Sequence, residues 1–174
     1  MNTPYNRKRL QEALGQDADR FIVASNDLLN TYSASEIQDV FSTIIGEYIE
    51  PFSNFSGWGA NYKEKIGDVT KKVCNLLNAV NWRTIYTLDA DDDTPIGFLI
   101  QAITDFYQID ESSKLINHII TGYSCFLSGE NRPKTTNSEI KLLHSYYAQI
   151  MAFIMVLSDA ERLLFEQFGN QESS

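Results

Sequence analysis

Apolar residues recur along this chain at intervals of three and four, the spacing of one face of an α-helix. In "SEIQDVFSTIIGEYIE", residues Ile37, Val40, Phe41, Ile44, Ile45, Tyr48 and Ile49 share such a face. Ser33 and Glu36 stand where a capping box would open this helix, and Pro51 lies just past its end. Residues 61–80 repeat the pattern through Tyr62, Ile66, Val69, Val73, Leu76, Leu77 and Val80. Residues 115–127 do so through Leu115, Ile116, Ile119, Ile120, Tyr123, Phe126 and Leu127, stopping before Gly129.

A helix opening at Thr136, with a second capping box to Glu139, carries Ile140, Leu143, Tyr147, Ile150, Ile154 and Leu157. Met151, Phe153, Met155 and Val156 make its C-terminal half apolar on every side, so residues 137–157 are expected to form the central helix. Ser158 and Glu161 predict a separate last helix, "DAERLLFEQF", ending at Gly169. Two more helices, at 5–14 and 17–31, meet around Gly15, and the best strand candidate, "WRTIYTL" at 82–88, has no evident partner. The expectation is an all-α, single-domain helical bundle of about seven or eight helices over residues 1–174, with short tails at 1–4 and 171–174.

Charge narrows the functional classes. The 23 acidic and 14 basic side chains leave a formal net charge of −9, a field that repels nucleic acid and anionic membranes. The N-terminal basic cluster has no apolar stretch behind it that would make a signal sequence. The longest apolar run, "AQIMAFIMVL", is about half the ~20 residues of a membrane span. These features predict a soluble cytoplasmic protein with neither a membrane nor nucleic acid among its direct partners. Cys74 and Cys125 both sit inside apolar helical patterns and read as reduced core thiols.

The stretch "DADDDTPIGF" at 89–98 comes closest to chemistry. An EF-hand loop needs oxygen ligands at positions 1, 3 and 5, glycine at 6 and glutamate at 12. Asp89, Asp91 and Asp93 supply the first three, whereas Thr94 and Ile100 occupy the last two. A phosphoryl-transfer aspartate at a strand end would need a parallel sheet that this chain lacks. Thr94 as N-cap, Pro95 in the first turn and carboxylates at the positive end of the dipole describe a helix start instead. From Thr84 to Ser113 there are seven acidic residues and no Lys or Arg, while residues 61–83 carry five basic and two acidic groups. Such an edge steers a basic partner and is too dispersed for a catalytic pair.

Other chemistry is sparse. His118 and His144 lack the preceding glutamates of a di-iron bundle, since Leu115 and Lys141 stand there. Cys125 and His118 share a face about 10 Å apart, beyond hydrogen-bond reach. No phosphate loop, nucleophile elbow or CxxC motif occurs, and no cofactor or metal is expected. The segment "PFSNFSGWGANY" clusters Phe52, Phe55, Trp58 and Tyr62 without a cation, which suits apolar anchoring better than base stacking.

The sequence therefore predicts a non-enzymatic acidic module that binds a basic surface of a partner protein. Inhibitors, immunity proteins and anti-defence proteins fill the same physical niche. Its expected partner-binding residues are Asp89, Asp91, Asp92 and Asp93, with Phe55 and Trp58 as apolar anchors. The alternative is a helical enzyme or small-ligand binder with an inter-helix pocket walled by Tyr146 and Tyr147 beside His144. A third option is a homodimer formed through the helix at 140–157.

Overall fold

The computed structural model describes residues 3–49, 59–81, 94–108 and 137–165. They are all-helical, with no strand among them: α1 (Thr3–Leu14), a 3-10 turn (Gly15–Asp17), α2 (Ala18–Leu29), α3 (Ala34–Ile49), α4 (Ala60–Asn78), α5 (Pro95–Gln108) and α6 (Asn137–Phe165). The helix expected at 115–127 and the strand candidate at 82–88 lie outside the described residues. α1 begins at Thr3, inside the stretch expected to fray, with Pro4 suited to a first turn.

Local chemistry explains the boundaries. Gly15 ends α1 in the left-handed region at φ 57°, where glycine pays no side-chain penalty. At the start of α3 the capping box closes in both directions. The Ser33 N–H donates to Glu36 Oε2 at 3.0 Å, and the Glu36 N–H donates to Ser33 Oγ at 3.3 Å. Thr94 Oγ1 accepts the Gly97 N–H at 3.2 Å and caps α5.

One expectation fails at the far end. Ser158 and Glu161 do not open a separate helix, because α6 runs unbroken from Asn137 to Phe165. A serine with a glutamate three residues on can also sit in mid-helix, and neither glycine nor proline interrupts the chain there.

α6 does occupy the centre, packing on α1, α2, α3 and α5. Its Ile150, Phe153, Ile154 and Leu157 are buried with Phe21, Ile37, Val40, Leu99 and Ile103. Phe153 stacks on Phe106 with centroids 4.5 Å apart and meets Phe21 at 6.3 Å. α3 fastens to the same helix through Tyr147, whose hydroxyl lies 2.8 Å from Ser42 Oγ and donates to the Gln38 carbonyl at 3.3 Å.

The α2–α4 pair forms a second layer. Asp17 accepts the Asn81 backbone N–H at 2.8 Å, Asp27 pairs with Lys72 at 2.5 Å, and the Tyr32 hydroxyl donates to Asp68 at 2.8 Å. These pairs run in opposite order along the two helices, so α2 and α4 are antiparallel. Between them Phe21, Leu28, Ile66, Val69 and Val73 are fully buried.

Candidate functional site

The sequence-predicted site residues Asp89, Asp91, Asp92, Asp93, Phe55 and Trp58 all lie outside the described residues. Tyr146 and Tyr147 line neither of the two clefts described below. Tyr146 is buried in the core, Tyr147 is spent on α3, and His144 is exposed beside them. Two other features stand out, and both arise from tertiary register.

The first is an open cleft of about 700 Å³ where the start of α3 meets α4, lined by Tyr32, Glu36, Glu64, Lys65, Asp68 and Lys71. The capping box that starts α3 also aims Glu36 across the gap, where Oε1 takes the Lys65 ammonium at 2.6 Å. Lys65 sits 5.6 Å from the centroid of the Tyr32 ring, a cation–π arrangement. Lys72 spans Asp27 and, at 3.9 Å, Asp68.

These contacts set the protonation of the cleft. The Lys65 hydrogen bond, helped by Ser33, holds the Glu36 carboxyl down at about 2. Desolvation, the hydrogen bond to Asp68 and the surrounding carboxylates push the Tyr32 phenol up to about 12. Both groups are driven away from neutrality, the opposite of what acid–base catalysis at neutral pH requires.

The second feature is an apolar groove of about 230 Å³ between α5 and α6, lined by Ala102, Asp105, Phe106, Gln149, Ala152, Phe153 and Val156. Its floor is the stacked Phe106–Phe153 pair. Phe98 and Met155, 59% and 50% exposed, are two of the three large apolar side chains that stand most open among the described residues; the other is Val23, on α2.

Phe98 is one turn from Ala102 on α5, and Met155 neighbours Ala152 on α6, so both flank the groove. The all-round apolar character of residues 151–156 thus resolves into a core face, Met151, Phe153 and Ile154, and an outer face on which Ala152 and Met155 are exposed.

Among the described residues no three His, Cys, Asp or Glu side chains come together as metal ligands, and no helix is long and apolar enough to cross a membrane. Cys74 is a half-buried free thiol whose pKa is raised by desolvation, which makes it a poor nucleophile.

Sequence reading missed Tyr32, Asp68 and Lys65. The only local signal was the capping box that orients Glu36. Compared with family models, with curated proteins and with solved structures, the chain matches none.

Proposed function

We propose that this chain is an acidic protein-binding module that occupies a basic surface of a partner protein, as an inhibitor does. The observation that supports it is how the chain spends its cations. Arg7 is tied to Asp19, Lys8 to Glu12, Arg20 to Asp17, Lys65 to Glu36, and Lys72 to Asp27 and Asp68. With these cations held by the chain's own carboxylates, the stretch from Thr84 to Ser113 brings seven acidic side chains and no Lys or Arg to the net charge of −9. A surface of that sign raises the encounter rate with a basic partner and rejects acidic ones.

The test is a nuclease-treated pull-down from the native cell, comparing wild type with a variant carrying lysine at 89, 91, 92 and 93. Circular dichroism must first show equal helicity. A protein retained by the wild type and lost by the variant supports the reading. Identical protein lists refute the role of this edge.

A small-ligand reading has one observation of its own. The cleft at Tyr32, Glu36 and Asp68 falls within the ~300–1,000 Å³ of ligand pockets. A thermal-shift screen of small charged ligands tests it, with Asp68→Asn as the control. A compound that raises the Tm of wild type and not of the variant would favour this second reading.

A further inference from the structure

The groove between α5 and α6 is neither part of the core nor part of the acidic run. We propose that it is the seat of a basic amphipathic helix of the partner protein, whose apolar residues enter the groove while its Lys and Arg side chains meet the acidic rims. The inference rests on the protein-binding reading above and gives that reading a location.

Shape argues for a helix. At about 230 Å³ the groove is smaller than ordinary small-molecule pockets, and its floor and most of its walls are hydrocarbon. Its α6 wall, Gln149 to Val156, runs for about 10 Å, nearly two helical turns. That length takes the i, i+3/i+4 and i+7 anchors of an amphipathic helix laid into a hydrophobic groove. Phe98 and Met155 flank the groove and are exposed, so they lose apolar surface to water only when something covers them.

Charge argues for the sign of that helix. α5 carries one charged residue, Asp105, which lines the groove. On α6 the wall itself, Gln149 to Val156, is uncharged; the exposed Asp159 lies one turn beyond Val156, and the helix's cations, Lys141 and Arg162, lie farther out toward its two ends. Neither wall offers a cation. The acidic run also ends at Asp93, directly before the residue that caps α5. A second copy of this chain would bring the same rims and another −9 against the groove, so self-association is disfavoured by the charge that favours a basic helix.

The probe is a fluorescein-labelled amphipathic peptide of leucine and lysine, about 18 residues or five turns long, beside a scrambled peptide of equal composition and charge. Wild type is expected to prefer the amphipathic peptide by about tenfold or more, the scale set by a single well-seated anchor. Phe98→Ala and Ala152→Arg should each remove most of that preference. Val23→Arg, the same type of charge change on the exposed face of α2, should leave it intact. All three positions are exposed, and matching thermal melts confirm that each variant folds.

Equal binding of both peptides, or equal damage from Val23→Arg and Ala152→Arg, overturns the groove and leaves general electrostatic attraction. No binding of either peptide also overturns it. A concentration-dependent doubling of mass in sedimentation that Ala152→Arg abolishes overturns it in favour of a second copy. In the pull-down, a partner lost with the lysines at 89–93 and kept by Ala152→Arg ends the groove inference while sparing the broader reading. A partner kept by both variants ends both.

Discussion

Replacing Asp17 with alanine separates a buried ion pair from a buried backbone anchor. The Asp17 side chain is 1% exposed, one oxygen bonding the Arg20 guanidinium and the other accepting the Asn81 N–H at 2.8 Å. The Arg20 side chain is 62% exposed, so its charge stays hydrated when the partner is removed. The ~3–5 kcal/mol of breaking a fully buried pair therefore does not apply. What is lost is a charge-assisted bond to the Asn81 amide at the end of α4, about 1.5–3 kcal/mol.

For a domain of this size each kcal/mol moves Tm by about 2–4 °C, so a loss near 2 kcal/mol predicts a fall of about 4–8 °C. Thermal and urea unfolding followed by circular dichroism measure it, with the urea slope unchanged because the surface exposed on unfolding is the same. Arg20→Ala should destabilise as well, because it leaves the buried Asp17 carboxylate without its counter-charge while the Asn81 bond remains. A shift below about 1 °C for Asp17→Ala would refute the reasoning.

Gly15→Ala should cost about 1 kcal/mol by urea denaturation; a Cβ there meets nothing within 4 Å, so the penalty is the left-handed backbone alone. Phe153→Ala should cost about 3–5 kcal/mol on the same scale, because the ring is shared by Phe21 and Phe106. Glu36 is held at about 2 against an ordinary 4.5, so its stabilisation is full above about 4.5 and disappears as pH falls toward 2. The difference in urea midpoint between wild type and Glu36→Gln should shrink over that range. Tyr32, raised from 10 to about 12, stabilises fully below pH 10 and loses the effect as pH rises through 12. Phenolate absorbance after a rapid pH jump should show a late-titrating component that is smaller in Tyr32→Phe.

Features decided within one or two turns were legible in the sequence. The Ser33–Glu36 box, the Thr94 cap and the break at Gly15 each depend on neighbours three or four residues away. The buried stripe of Ile37, Val40, Phe41 and Ile44 follows from the helical period. Ser158 misled because a local capping pattern carries no information about whether the preceding helix has stopped.

The cleft was not legible because Tyr32 and Asp68 are 36 residues apart, and Asp17 and Asn81 are 64. Their meeting depends on how α2 and α4 align, which no short window encodes. The groove was half visible. Phe98 lies off the stripe of Ile96, Leu99, Ile100 and Ile103 at helical spacing, yet only the packing of α5 on α6 shows that Ala102 and Ala152 leave a furrow beside it.

The unbroken α6 has a consequence for how this fold opens. Because α1, α2, α3 and α5 all rest on it, its middle amides near Ile150 to Leu157 can exchange with solvent only when the whole domain unfolds. α4 is tied in chiefly through α2 and α3, and can detach in a smaller, cheaper excursion. Hydrogen exchange should therefore divide the molecule into a slow frame around α6 and a faster outer unit. The polar cleft would lie on the seam between that outer unit and the frame, and the apolar groove on the frame.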